Sequence, residues 1–130
     1  MIVDTSALMS ILLRERGAER YAGALLGAER VRISAATALE TFIVAIRRVG
    51  PDGESKVDRL FGQFNVDVVP VDRDQVLLAR TAFRTYGKGR HEAELNFGDC
   101  FAYALAKATG EPLLYKGNDF AQTDVASALA

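Results

Sequence analysis

Short apolar runs alternate with helix-patterned segments from one end of this chain to the other, and that alternation limits the possible folds more than any other feature. Met1–Val3, Val31–Ile33, Val66–Val71 and Leu113–Tyr115 read as strands; Pro70 puts the end of the third near a sheet edge. Between them the spacing predicts helices over Ala7–Arg14, Gly17–Leu26, Ala35–Val49, Glu54–Phe64, Gln75–Tyr86 and Gly98–Ala108. Leu39, Phe42, Ile43, Ile46 and Val49 form one apolar stripe, and Val57, Leu60, Phe61 and Phe64 another. Thr5, Ser6, Ser34 and Asp72 are good N-cap types, Gly50-Pro51-Asp52-Gly53 is a strong break, and Gly110 ends the last helix. One short strand or helix is expected around Val125. Strands alternating with helices argue for an α/β fold, its central, mainly parallel sheet flanked by helices on both faces. No repeat, linker or low-complexity tract interrupts the pattern, so residues 1–130 read as one domain.

Composition excludes several classes. At 130 residues, 49% hydrophobic and 25% charged, the chain has enough apolar material for one core without a disulfide. Cys100 is the only cysteine, so neither an internal disulfide nor a cysteine-rich zinc site is available. The net charge of −1 gives no global positive field, and any nucleic-acid contact must come from a local basic patch. The opening MIVDTSALMSILL is not patterned as a signal peptide: Asp4 interrupts it, and it lacks a basic start and a small-residue cleavage site. No stretch approaches the roughly 20 apolar residues of a membrane span. No membrane contact and a cytoplasmic location are expected.

Four of the 17 acidic residues stand out from solvated positions such as Glu15, Glu19, Glu29, Glu54 and Asp58. Asp4 ends a strand that should be buried. Glu40 lies between Leu39 and Phe42 on a largely apolar helix. Asp99 opens the best-defined core helix, and Asp119 follows the last clear strand. Ligands of open α/β sheets bind beyond the carboxyl ends of the strands, so Asp4 and Asp119 are placed to share a crevice that Glu40 and Asp99 approach from flanking helices. Each has a plain alternative: a cap or turn for Asp4, a salt bridge to Arg47 or Arg48 for Glu40, a helix-dipole partner for Asp99, a turn for Asp119. Their conjunction carries the argument. Two unit charges about 4 Å apart repel by about 4 kcal/mol at an effective dielectric near 20, so four gathered carboxylates require protons or a cation. An oxygen-only donor set suits Mg²⁺ or Mn²⁺ rather than zinc. Metal-assisted phosphodiester hydrolysis is the chemical class that follows.

The same residues carry a family resemblance that covers essentially the whole chain, most weakly between Gly50 and Asp72. MIVDTSAL resembles the first strand and turn of PIN-domain proteins, and SAATALETFIV their second acidic helix. LNFGDCFAYALAKATGEPLLYKGNDFAQTD resembles the C-terminal signature of VapC toxins, and YGKGRHEAELNFGDC is similar to one subset of them. The resemblance implies a PIN-like fold and a Mg²⁺-dependent endoribonuclease, with Mn²⁺ as a substitute ion. It further implies a VapB-type antitoxin lying across the active-site groove, and a homodimer. Carried over by position, Asp4, Glu40 and Asp99 fall on the family's three main acidic positions. Asp119 takes the fourth, with Asn118 and Asp124 as neighbouring alternatives. Thr5 or Ser6 matches a hydroxyl that orients a carboxylate or a water.

Arg84, Lys88, Arg90 and His91 cluster about a polar loop ahead of the Asp99 helix, and Lys116 precedes Asp119. Arg84, Lys88, Arg90 and Lys116 are candidate RNA-backbone contacts, with a merely solvated loop as the alternative. His91 alone cannot supply both acid and base of a metal-free ribonuclease. Cys100 and Tyr21, Tyr86, Tyr103 and Tyr115 read as packing residues, and Leu8, Ile11, Leu12, Leu25 and Leu26 serve a core or an interface equally well. Competing functions fit less well. A haloacid-dehalogenase-type phosphatase wants a second Asp where Ser6 stands, and a receiver-like phosphoacceptor domain finds only Asp67 within a strand and Asp72 as a cap. An inactive PIN-like binding module conflicts with the intact acidic positions.

Overall fold

The computed structural model describes residues 1–129. Four parallel strands, β1 (Ile2–Val3), β2 (Val31–Ser34), β3 (Val66–Val69) and β4 (Leu113–Leu114), form one sheet in the order β3-β2-β1-β4. Six helices surround it: α1 (Thr5–Leu12), α2 (Ala18–Gly27), α3 (Ala35–Val49), α4 (Gly53–Gln63), α5 (Arg73–Tyr86) and α6 (Phe97–Thr109). A 3₁₀ turn over Phe120–Gln122 follows β4. Beyond it, Ser127 bridges to Leu113, with the Leu113 amide donating to the Ala126 carbonyl at 2.8 Å.

The two-residue period of the strands sorts the core into two layers. Ile2 and Leu113 face one side, packed with Ala82 of α5 and Ala102, Leu105 and Ala106 of α6. Val3, Val31, Ile33 and Leu114 face the other, against Ala7 and Leu8 of α1, Tyr21 and Leu25 of α2, and Leu60 of α4. The expected α/β architecture with both faces covered is the one observed. Pro70 follows β3, which lies at an edge of the sheet as its proline requires.

Local boundaries differ where tertiary contacts override residue preference. The first helix begins at Thr5 rather than Ala7 because Asp4, not Thr5 or Ser6, is its N-cap: the Ser6 amide donates to the Asp4 carboxylate at 3.0 Å. The third strand stops at Val69 rather than Val71, since Asp72 caps α5 through the Gln75 amide at 2.9 Å. Gly53 closes the α3–α4 connection. A Cβ there would lie 2.6 Å from the Ala45 carbonyl carbon, so only glycine lets the two helices meet. Tyr21 and Tyr103 are buried as anticipated, while Leu26 of the α2 stripe is left exposed.

Strand order is the feature that positions the site. The chain steps outward from β1 through β2 to β3, then returns to place β4 on the other side of β1. The switch point therefore lies between β1 and β4, at whose carboxyl ends Asp4 and the loop leading to Asp119 emerge. The Asp4 amide donates to the Leu114 carbonyl at 2.9 Å and fixes the end of β1 against β4.

Candidate metal centre

Asp4 is buried at the end of β1. Its Oδ2 accepts the Ser6 amide at 3.0 Å and the Ser6 hydroxyl at 2.7 Å. The Ser6 hydroxyl oxygen in turn accepts the Lys116 amide at 2.9 Å, across 110 residues of sequence. The β4 loop thus holds the side chain that holds Asp4. The other oxygen, Oδ1, is buried with no hydrogen-bond partner among the described residues. A buried carboxylate oxygen with nothing to accept is costly unless the group is protonated or faces a cation. Burial accordingly pushes the Asp4 carboxyl above the ordinary carboxylate range, and the charge of Asp119 adds to the rise.

Glu40 reaches the same region from α3. Thr5, the residue after Asp4, donates its hydroxyl to Glu40 Oε1 at 2.7 Å. Glu40 Oε2 lies over the first turn of α6, where a Cβ on Gly98 would come within 2.0 Å of it. The sequence alternative of an ion pair with Arg47 or Arg48 is not realised, since both arginines sit in the last turn of α3 and are exposed. Burial raises the Glu40 carboxyl, and the negative charge of Asp4 pushes the same way.

Asp99 serves as both cap and candidate ligand. Asn96 and Asp99 form a reciprocal capping box: the Asn96 amide donates to Asp99 Oδ2 at 3.0 Å, and the Asp99 amide to Asn96 Oδ1 at 2.9 Å. Burial, then the charges of Asp4, Glu40 and Asp119, raise Asp99 to about 7 despite that stabilising bond. Asp119 is exposed at the start of the 3₁₀ turn, and its charge acts on both Asp4 and Asp99. Asp124 lies elsewhere: it accepts from the Tyr103 hydroxyl and pairs with Lys107 at 3.0 Å, which hold it below the usual range. Asn118 is exposed beside Asp119.

The charges of Asp4, Glu40, Asp99 and Asp119 act on one another, and Asp4, Glu40 and Asp99 share one arrangement. Each has one oxygen tied by a hydrogen bond, which fixes its direction and leaves the second oxygen uncommitted. Among the described residues no three acidic, histidine or cysteine side chains form a ligand cage. Mg²⁺ keeps several waters and needs few direct carboxylates. The donor set and the orphaned Asp4 oxygen together fit a hard divalent cation.

The basic candidates are divided. Arg84, Lys88 and Arg90 are exposed around the turn that precedes α6, and Arg90 lies over the Phe83 ring at 5.9 Å from its centroid. Lys116 is engaged by Glu15 at 3.0 Å, so its part in the site runs through its backbone amide. His91 Nδ1 accepts the Ala93 amide at 3.0 Å and braces the loop. Cys100 is buried; burial and the neighbouring Asp99 charge push its thiol up to about 11, leaving it inert.

The family model for the PIN domain matches residues 1–126. The chain belongs to the PIN-domain family. This PIN domain is 49% identical over 128 residues to VapC ribonuclease Mb0640 of Mycobacterium bovis, an alignment spanning 98% of this chain and 97% of that protein. It is 50% identical over 127 residues to a ribonuclease VapC of Mycolicibacterium smegmatis, covering 98% of each. Among solved structures, VapC20 of Mycobacterium tuberculosis, a sarcin–ricin loop cleaving toxin, superposes with a TM-score of 0.76 at 20% identity over 95% of both chains. VapBC2 from Rickettsia felis, solved with a DNA fragment from its promoter, gives 0.72 at 13% identity, over 97% of this chain and 94% of that one. At those identities the solved structures speak to the fold. The PIN fold leaves no place for the phosphatase or receiver readings: Asp67 is exposed on the edge strand β3 and pairs with Arg30 at 3.7 Å.

Gly98 is the residue that sequence reading passed over. Its only signal was a glycine immediately before a suspected acidic ligand, and its importance depends on Glu40, which arrives from another helix. In this PIN domain Gly98→Ala displaces the flexible end of Glu40 rather than backbone. The expected result is a melting temperature close to that of the parent with divalent-dependent cleavage reduced about 10- to 100-fold, the range for losing support of a metal ligand. Unchanged activity would show that Glu40 need not lie there.

Proposed function

We propose that this chain is the ribonuclease toxin of a type II toxin–antitoxin pair, a single PIN domain over residues 1–130 that hydrolyses internal RNA phosphodiester bonds with a divalent cation. The observation that carries this reading is Asp4 at the β1–β4 switch point, its Oδ1 buried and without a hydrogen-bond partner among the described residues, with the charges of Glu40, Asp99 and Asp119 coupled to it. Asp4, Glu40, Asp99 and Asp119 are the residues that would hold Mg²⁺, with Mn²⁺ as its substitute. When bound, such an ion polarises a phosphoryl oxygen and lowers the pKa of water at the site.

The protein's own contribution is orientation and charge. Ser6 and the Lys116 amide fix Asp4, Thr5 fixes Glu40, and the capping box fixes Asp99. These contacts hold the free oxygens in place before substrate arrives, so little reorganisation is left for the reaction itself. Arg84, Lys88 and Arg90 supply exposed positive charge for the RNA backbone, which compensates for a chain whose net charge is −1. Each phosphate contact on single-stranded nucleic acid contributes about −0.7 to the slope of log K against log salt. Lys88→Ala combined with Arg90→Ala is therefore expected to flatten that slope by about 1.4, measured by RNA-binding titrations at several salt concentrations. An unchanged slope would remove both residues from the interface.

We assign two partners to two surfaces. The first is a second copy of this chain. Phe97 is 79% exposed and, with Val76, Ala79, Phe83 and Phe101, itself lines an apolar cleft of about 430 Å³ between α5 and α6. An exposed apolar patch of this kind suits a two-fold contact in which the same patch meets itself, and the sedimentation mass of the purified chain tests it. The second is a VapB-type antitoxin, which we place across the groove that holds Asp4, Glu40, Asp99 and Asp119. No helix among the described residues is long and apolar enough to cross a membrane, and we place the protein in the cytoplasm with its RNA substrate.

The deciding experiment is direct. Purified protein should cleave RNA with Mg²⁺ or Mn²⁺ and stop when EDTA is added, and induction of the toxin alone should halt growth until the antitoxin is coexpressed. Cleavage that persists in EDTA, or normal growth with abundant soluble protein, overturns the reading.

A further inference from the structure

Behind Glu40 lies a buried chain of hydroxyls that the carboxylate set does not explain. Thr5 Oγ1 lies 2.7 Å from Glu40 Oε1, 2.9 Å from Thr41 Oγ1 and 3.3 Å from the Thr37 carbonyl oxygen. Thr41 Oγ1 is itself 2.8 Å from the same Thr37 carbonyl. Thr37 and Thr41 are fully buried and Thr5 nearly so, leaving no room to exchange these bonds for bulk water. Thr37 and Thr41 are one helical turn apart on α3, so the face of α3 presented to α1 is polar where an apolar stripe would ordinarily run.

Counting hydrogens fixes the direction of the chain. Two hydroxyls bring two hydrogens to this group of oxygens. A Glu40 carboxylate that holds a cation has no hydrogen to give, so Thr5 must donate to it. The hydrogen in the 2.9 Å Thr5–Thr41 contact must then come from Thr41. The order is Thr41 to Thr5 to Glu40. Were Thr41 to give its hydrogen to the Thr37 carbonyl instead, two hydroxyl oxygens would face each other at 2.9 Å with only lone pairs between them. That carbonyl can release the hydroxyl at little loss, because it remains the i−4 acceptor of the α3 backbone ladder. A hydroxyl that accepts a hydrogen bond becomes a better donor in turn, so Thr41 strengthens the bond that aims Glu40.

We propose that Thr41 is a positioning residue for the divalent centre, acting on Glu40 through the Thr5 hydroxyl. The inference rests on the proposed metal-dependent function, and it extends the machinery one layer beyond the carboxylates, onto a residue that touches neither ion nor RNA. Its consequence is specific. The hydroxyl of residue 41 matters for ion affinity and turnover, while the volume of the side chain matters for stability.

Mn²⁺ titration calorimetry on the full chain, with steady-state RNA cleavage alongside, tests it in Thr41→Val, Thr41→Ser, Thr5→Val and the Thr5→Val/Thr41→Val double variant. Thr41→Val should weaken Mn²⁺ binding about 10-fold and lower kcat about 10-fold or more with KM for RNA nearly unchanged, the range for loss of an outer-shell partner. Thr41→Ser should restore both. The double variant should be no worse than Thr5→Val alone, because Thr41 acts only through Thr5. Parental Mn²⁺ affinity in Thr41→Val, equal defects in Thr41→Ser and Thr41→Val, or additive losses in the double variant each overturn the proposal. If Thr41→Val does not fold, the Thr41→Ser and Thr5→Val titrations decide: a serine variant as weak as Thr5→Val rejects it, and parental affinity in the serine with loss in Thr5→Val supports it. Failure of the parent itself to bind Mn²⁺ is a different result and rejects the metal-dependent function as a whole.

Discussion

Asp4→Asn should give a protein that melts several degrees higher than its parent in divalent-free buffer and cleaves RNA about 10³-fold more slowly. Both effects have one cause. The Asp4 carboxyl is buried, its proton affinity is raised chiefly by that burial, and Oδ1 has no hydrogen-bond partner among the described residues. Ionised, it is a cost to the fold that the Ser6 hydrogen bonds offset in part and a cation would offset further. Asparagine keeps a carbonyl oxygen for the Ser6 amide and hydroxyl, so the cap of α1 survives. The negative charge does not, and with it goes the oxygen aimed into the crevice. Loss of a preorganised electrostatic group at a reacting centre costs about 10²–10³-fold, and a direct ligand stands at the upper end. Thermal melts in EDTA and a cleavage time course make the comparison. An active Asp4→Asn protein, or one that melts lower than the parent in EDTA, contradicts the assignment.

Stability of the divalent-free protein should fall as pH rises from about 4 to 7, and a divalent cation should reverse the trend. The folded Asp99 carboxyl is raised from 3.8 to about 7. Between those values the folded state retains a proton that the unfolded chain has lost, so unfolding releases it and is favoured by rising pH. The contribution is fully present below the unfolded value and gone above the folded one. Asp4 and Glu40 are raised too and steepen the fall. Asp124 and Glu111, both held below the usual range by their partners, contribute oppositely at lower pH, and that opposing gain is complete once pH exceeds the normal carboxylate range. Melting temperatures from pH 4 to 8 (about one pH unit apart) in EDTA and in Mg²⁺ read the effect, with Asp99→Asn flattening the EDTA curve. A curve that rises through this interval in EDTA would mean the acids are not electrostatically strained.

The local layer of the fold was readable because its causes are local. Apolar runs of a few residues, the 3.6-residue stripe on α4, and the glycines at 50 and 110 act through near neighbours, whereas the apolar stripe of α3 marked the helix but not its buried face, which is Thr37, Thr41 and Ala45. The acids were conspicuous for a similarly simple reason: Asp4 ends an apolar strand, and Glu40 lies between Leu39 and Phe42 on a largely apolar helix. Asp4 caps α1 and Asp99 closes the capping box of α6, and a side chain that caps a helix with one oxygen keeps the other for different work. The cap of α1 was assigned one or two residues late because Thr and Ser resemble caps as strongly as Asp does. Asp124 was indistinguishable from Asp119 until Tyr103 and Lys107, from α6, were seen to claim it.

By itself the sequence determined the alternating strands and helices, the mostly apolar surfaces that must be covered, and which carboxylates sit against that pattern. Tertiary structure alone decided that β4 returns beside β1, that Lys116 reaches Ser6 across 110 positions, and that Glu40 settles on Gly98. The physical reason is range. Propensity, capping and periodicity act over one or two helical turns, whereas strand order and the meeting of α3 with α6 follow from how the whole chain buries its apolar faces. That choice moves a carboxylate by the width of a strand without changing a single local preference.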